Sequence, residues 1–237
     1  MRIIVLTTET PHHLYFVNEI STIFNITGIA VESGVLKAPF QTHHSFEDER
    51  DRYEVTELLK EEKVMYKDFC ETKVFDNIND EGCIQFVADL KPDVIVTFGT
   101  GLIRQPLIQL CPDGFINLHG GDPEYYRGLD THMWAIYHRK FEQLIVTLHR
   151  LNASLDDGEI ILQAKIILNN NSKITKLRVE NTKLCVQLTL SALSTFNQLG
   201  YFISKPQQRK GHYYSFMPAD LKEVCVNKFE QHIHTIN

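Results

Sequence analysis

The sequence predicts an α/β fold built on a doubly wound, Rossmann-like, mostly parallel sheet, and three observations carry that reading. Short apolar runs such as Ile3–Leu6 and Val94–Phe98 are near-continuous rather than alternating, the pattern of strands covered on both faces. Segments with apolar residues at helical spacing lie between such runs, the first formed by Leu14, Val17, Ile20 and Phe24. The length of 237 residues suits one α/β domain, expected over residues 1–203, with a short C-terminal appendage over 204–237.

Taken in order, Ile3–Leu6 is the first strand, and Thr10-Pro11 opens the first helix. Threonine serves as N-cap, and proline stands where its missing N–H costs nothing. The intervening loop lacks Gly-x-Gly-x-x-Gly, so no nicotinamide or flavin cofactor is expected. His12 and His13 in the first turn either contact an anionic ligand or stand in solvent; adjacent residues point to different sides of a helix, which favours solvent. Ile29–Val31 reads as a second strand. Ser45-Phe-Glu-Asp48 resembles a capping box opening an acidic helix, with Tyr53, Val55, Leu58 and Leu59 inward and the charges solvated. Val74-Phe75 is a short strand, Asn79 caps a helix to about Leu90, and Val94–Phe98 is a strand ending in the turn Phe98-Gly99-Thr100-Gly101-Leu102-Ile103. Gly128–His132 opens a helix whose Trp134 is read as core rather than as a stacking platform. Leu144, Val146 and Leu148 mark a strand, Ile160–Leu168 another, and Lys173 to about Tyr201 a long helix. The appendage is expected to form a turn or hairpin around Gly211, then a short helix through Leu221, Val224 and Phe229.

Composition narrows the function. A net charge of −6 with mixed signs offers no basic surface, so neither nucleic-acid phosphates nor an anionic membrane is an expected partner. Five scattered cysteines without a Cys-x-x-Cys pair read as reduced thiols in the cytoplasm. No apolar run approaches the ~20 residues of a membrane span.

The chemistry concentrates between Phe115 and Leu162. Asn117 and His119 follow Phe115-Ile116 two residues apart, so at the end of a strand both side chains leave from one face. Asp156 sits in an Asp-Asp-Gly turn that can return a carboxylate to the imidazole. Such a trio supplies a donor for developing negative charge, a proton carrier and an orienting carboxylate. No metal is expected, because His119, His132 and His149 follow no metal-binding spacing.

At Asn117-x-His119, Tyr126-Arg127-Gly128 and Leu155-Asp156-Asp157-Gly158 the chain resembles the formyltransferases that use N10-formyltetrahydrofolate, over about Pro92 to Ile166. The resemblance implies the formyltransferase fold and N10-formyltetrahydrofolate as co-substrate. It makes Asn117, His119 and Asp156 catalytic, with Asp157 the competing carboxylate. It assigns Phe98, Gly99, Leu102, Ile103 and Asp157 to the folate, and His149 to the folate or to structure. Gly120-Gly121-Asp122-Pro123 departs from the Pro-Ser-Leu-Leu-Pro common in relatives that act on purine precursors or initiator tRNA. Transfer to initiator tRNA would normally come with a tRNA-contacting C-terminal domain, for which the tail after Tyr201 is short, and transfer to glycinamide ribonucleotide with a glycine-rich phosphate loop, which Thr7–His13 does not offer, so the expected resemblance is to the sugar N-formyltransferases of surface glycan synthesis. Their acceptor is a nucleotide-linked amino-deoxysugar, and His12, Tyr126, Arg127, Tyr213 and Tyr214 are the candidates to hold it, with Arg209 and Lys210 for its pyrophosphate. Tyr213 or Tyr214 could equally serve a homodimer contact or seal the domain edge. The rival readings are formyl transfer to another amine, such as glycinamide ribonucleotide, and a non-catalytic folate- or nucleotide-binding protein.

Overall fold

The computed structural model describes residues 1–34, 36–60 and 64–236. In chain order these form β1 (Ile3–Thr8), α1 (Pro11–Ser21), β2 (Ile26–Glu32), α2 (Phe46–Glu54), β3 (Glu71–Phe75), α3 (Glu81–Leu90) and β4 (Val94–Phe98). There follow α4 (Gln105–Ile108), β5 (Phe115–His119), β6 (Tyr126–Gly128), α5 (Thr131–Tyr137), β7 (Ile145–Arg150), β8 (Ile160–Lys165), α6 (Leu177–Leu199), β9 (His212–Tyr214) and α7 (Ala219–Ile233).

Seven strands make one sheet in the order β3-β2-β1-β4-β5-β7-β8. The first five run parallel, β7 is antiparallel to β5, and β8 is antiparallel to β7. The expected doubly wound sheet is present, and its strands read as near-continuous apolar runs for a physical reason. In β1, Ile3 and Val5 pack toward α1 and α6, whereas Ile4 and Leu6 pack toward α3 and α4, so neither face meets water. Strand order reverses at β1, with β2 on one side and β4 on the other. That leaves a crevice beyond the carboxyl ends of β1 and β4, the usual ligand position in such sheets. Gly28 lets α3 close on β2, since a Cβ there would meet Leu90 and come within 3.3 Å of Phe86. Gly28→Ala is therefore expected to cost about 1–3 kcal/mol of stability by overpacking, read as a lower urea midpoint at unchanged slope.

Several boundaries differ from expectation. Ser45 makes no side-chain cap, and the Glu47 carboxylate instead accepts the backbone N–H of His44 at 2.9 Å. Asp80 rather than Asn79 is the N-cap of α3. Thr10 holds the N-cap position of α1, but its hydroxyl turns to the His12 and His13 rings. The long helix begins at Leu177 after a single 3-10 turn, Ile174–Lys176. The acidic helix is not simply solvated: Glu47 and Glu54 are buried, Glu47 with both oxygens about 3 Å from the Lys222 ammonium of α7.

Among its described residues the tail forms no hairpin. Instead β9 pairs in parallel with β6, and Gly211 lies so close to Pro123 and Tyr125 that a Cβ would strike their backbone. Met217, Cys225, Phe229 and Ile233 belong to the same buried cluster as β7 and α6. Trp134 is partly buried against Tyr214, ring centroids 5.1 Å apart, and donates its indole N–H to the Ser215 carbonyl. No helix among the described residues is long and apolar enough to cross a membrane.

Candidate active site

A cleft of about 530 Å³ opens at the carboxyl ends of β1, β4 and β5. The turn into α1 brings His12 and His13 to it, β5 brings Asn117 and His119, β7 brings His149, and the loop between β7 and β8 brings Asp156. A larger depression of about 710 Å³ lies elsewhere, between Phe141, Ile166 and His232, but the imidazole–carboxylate–amide grouping is in the smaller cleft.

Hydrogen-bond partners fix the roles of the ring nitrogens. His119 Nε2 faces the Tyr126 carbonyl at 2.8 Å, and a carbonyl only accepts, so this nitrogen carries the proton. The other ring nitrogen, Nδ1, stands 3.5 Å from Asp156 Oδ2. His149 follows the same logic, with Nδ1–H donating to the Arg150 carbonyl at 2.8 Å and Nε2 accepting from Asn117 Nδ2 at 3.0 Å. Asn117 thus spends one amide N–H on His149 and keeps the other. His149 Nε2 lies 3.6 Å from Asp156 Oδ1, so the carboxylate stands between two imidazoles.

Burial pushes the Asp156 carboxyl upward in pKa, but the adjacent His119 and His149 and the Gly128 N–H outweigh it and hold the group well below the usual carboxylate range. The Gly128 N–H reaches Asp156 Oδ2 at 2.9 Å. Asp156 itself takes a left-handed backbone, φ +46°, which the short polar side chain of aspartate tolerates better than most. Gly121 is equally constrained, because a Cβ there would sit 2.8 Å from His119 Nε2 and 2.9 Å from Thr131 Oγ1. That accounts for the second glycine after the histidine in place of a bulkier residue.

Of the residues expected to hold a folate, Phe98, Gly99, Leu102, Ile103 and His149 line the cleft. Gly99 has φ +85°, and a Cβ on it would run into the His13 ring. Asp157 is turned away and is bound to Arg127 at 2.5 Å. Of the expected acceptor contacts, His12 and Tyr213 line the cleft, Tyr213 on its rim with 63% of its surface exposed.

Tyr126, Arg127 and Tyr214 do not line it, which corrects the motif-based expectation. The Tyr126 ring is buried beside His138 and Tyr214, and only its carbonyl serves the site. Tyr214 packs against Trp134 and Tyr126. Arg127 is 3% exposed, and its guanidinium is spent on protein partners. Arg209 lies over the Tyr125 ring, and with Lys210 it borders a separate shallow pocket beside Asp157.

The first-turn histidines are not solvated either. His12 Nδ1 faces Glu54 Oε2 at 3.3 Å, and His13 is buried with Nδ1 between the hydroxyls of Thr8 and Thr10, at 2.9 and 2.7 Å. Burial lowers both pKa values, that of His13 strongly. His13, which the sequence favours as a solvent-facing residue, lines the cleft. The open backbone of Gly99 beneath it was the available signal. No group of three or more His, Cys, Asp or Glu among the described residues could hold a metal ion.

The formyl transferase family model matches residues 1–192. Among solved structures, a sugar N-formyltransferase from a Shewanella species is 14% identical at TM-score 0.64, covering 96% of this chain and 87% of that one. The formyltransferase PseJ from Anoxybacillus kamchatkensis, in complex with UDP-4,6-dideoxy-4-formamido-L-AltNAc and tetrahydrofolate, is 18% identical at TM-score 0.53, covering 91% and 86%. Glycinamide ribonucleotide transformylase 1 from Symbiobacterium toebii is 17% identical at TM-score 0.62, covering 90% and 94%. At these identities the likeness is one of fold.

Proposed function

Because the chain belongs to the formyl transferase family, we propose that it transfers the formyl group of N10-formyltetrahydrofolate to the amino group of a nucleotide-linked amino-deoxysugar, with Asn117, His119 and Asp156 as the reacting set. The observation that carries this reading is the meeting of that amide, imidazole and carboxylate in one cleft at the strand ends.

The acceptor amine attacks the formyl carbon, and the carbonyl oxygen gathers negative charge. The second N–H of Asn117 answers that charge, and because His149 already holds the amide the donor is oriented before reaction. The amine becomes an ammonium as it bonds. His119 Nδ1, whose partner nitrogen is committed to the Tyr126 carbonyl, takes that proton, and Asp156 stabilises the resulting imidazolium. Collapse of the tetrahedral intermediate breaks the bond from carbon to N10. His119 returns the proton to that nitrogen, so a formamide and tetrahydrofolate leave and the enzyme is unchanged. No covalent enzyme intermediate is required.

For the acceptor, a sugar N-formyltransferase and a formamido-sugar complex are among the proteins of like fold, and the turn into α1 holds two imidazole rings where a glycine-rich phosphate loop is lacking. The glycinamide ribonucleotide enzyme of like fold favours the second reading, a purine-precursor amine. The five free cysteines support a cytoplasmic site for the reaction. The test is incubation with N10-formyltetrahydrofolate and a panel of nucleotide-linked 3-amino and 4-amino sugars, with glycinamide ribonucleotide alongside, read by mass spectrometry. A gain of one formyl group on a sugar supports the reading. Formylation of glycinamide ribonucleotide alone overturns the sugar assignment, and silence throughout with folate bound overturns formyl transfer to these amines.

A further inference from the structure

The geometry points to Gln207, acting with Arg127, as a positioning residue that holds the Asp156 turn in its working conformation, an inference that rests on the formyl-transfer reading above. Gln207 lies beyond the residues matched by the family model. Its carboxamide is fully engaged. Nε2 donates to the carbonyl of Asp156 at 2.9 Å and to that of Gly158 at 2.8 Å, and Oε1 accepts from Arg127 Nη2 at 2.8 Å.

Arg127 closes the other side of the turn. Its Nη1 reaches Asp157 Oδ1 at 2.5 Å and its Nε the Pro123 carbonyl at 2.9 Å. The guanidinium therefore ties the Asp157 side chain, the loop after His119 and Gln207 to one buried cation. The fork of five N–H groups suits that task, and an ammonium could not reproduce it.

A tether is needed because of where Asp156 sits. The residue joins two strands through a short loop, in a left-handed conformation that brings two carbonyls round to one side. Its carboxylate is useful only while it stands between the imidazoles of His119 and His149. The other hydrogen bonds that orient it run to the Gly128 N–H at the end of β6 and to Gln207 from the tail. Since β6 pairs with β9, both supports depend on the tail's register against Tyr126–Gly128. Displacement by a fraction of an ångström separates a productive carboxylate from an idle one.

The experiment uses the full chain with Gln207→Leu, Gln207→Glu and, as a control, Gln208→Ala. The glutamate still accepts from Arg127 but offers no donor to the two carbonyls, so it separates support of the turn from mere occupancy. Both Gln207 variants are expected to lose on the order of tenfold to a hundredfold in kcat, with KM for N10-formyltetrahydrofolate within about twofold. Amide hydrogen exchange should rise across 155–158 and stay unchanged in β5, while Gln208→Ala resembles wild type in both. Unchanged exchange at 155–158 overturns the tether. Raised exchange with unchanged kcat overturns its role in positioning the carboxylate, as does restoration of kcat by the glutamate. Raised exchange in a protein whose wild type transfers no formyl group supports the tether and overturns the formyl-transfer reading instead.

Discussion

Asp156→Asn is expected to lower turnover by ~10²–10⁴ while leaving folate affinity within a few-fold of wild type. The substitution keeps volume, and its remaining carbonyl oxygen can still accept the Gly128 N–H, so the turn need not unfold. What disappears is the negative charge 3.5 Å from His119 Nδ1, the charge that would balance the imidazolium. Burial would otherwise favour the neutral acid, yet the two histidines hold the wild-type carboxyl ionised throughout the range in which such an enzyme is assayed. Any loss of activity toward mild acid therefore belongs to another group. Single-turnover formylation beside a tetrahydrofolate titration separates chemistry from binding. The doubly substituted Asp156→Asn, His119→Gln protein should be little worse than the poorer single variant, because in the proposed mechanism the two groups act as one unit. Undiminished turnover in Asp156→Asn would remove the carboxylate from the mechanism.

The second large effect concerns stability. Glu54 is 0% exposed, and both its oxygens face the Arg178 guanidinium of α6, Nη2 to Oε2 at 2.8 Å. Burial raises the Glu54 carboxyl, but the His12 and Arg178 hydrogen bonds and the Arg178 charge bring it from 4.5 to about 2. The folded state thus holds the proton less tightly than the unfolded chain does. The resulting stabilisation, about 3 kcal/mol, is complete above the unfolded value near 4.5 and disappears as pH falls toward 2. Arg178→Met leaves a buried carboxylate without its cation. It is expected to cost about 3 kcal/mol at pH 7, near the low end for a broken buried pair because the guanidinium is partly exposed. Urea unfolding at pH 7 and pH 3 checks both statements. The variant should unfold at lower urea at pH 7 and lose less on acidification than wild type, and equal midpoints at pH 7 would contradict the assignment. Because Glu54 also holds His12, the same substitution should loosen one wall of the cleft.

What the sequence made legible followed from local pattern. Near-continuous apolar strands announced a sheet covered on both faces, and Asn117 and His119 two residues apart had to share a side of β5. Asp156 was reached through motif resemblance, since nothing local says which of two neighbouring aspartates turns inward; here Asp156 faces the imidazoles and Asp157 meets Arg127. The misreadings share a cause. Glu54 and Glu47 looked like surface charges; Arg50, three residues after Glu47, is a local partner, but the cations brought in from other elements, Arg178 and Lys222, lie 124 and 175 residues further on. Charge partners so remote leave no trace in spacing. Tyr126, Arg127 and Tyr214 were given to the acceptor by their motif and chemistry, whereas the pairing of two three-residue strands turns their side chains into the protein.

That pairing also orders events during synthesis. All seven strands of the main sheet have left the ribosome once Lys165 emerges, yet Tyr126–Gly128 cannot find His212–Tyr214 until some fifty residues later. Contacts of such sequence separation form late, after loop closure has been met. A nascent chain can therefore bury much of its sheet while the carboxylate turn still lacks the brace supplied by the tail. Fragments ending short of β9 also lack α7, whose Phe229 and Ile233 fill the main core, so they should be both less stable than the full chain and idle.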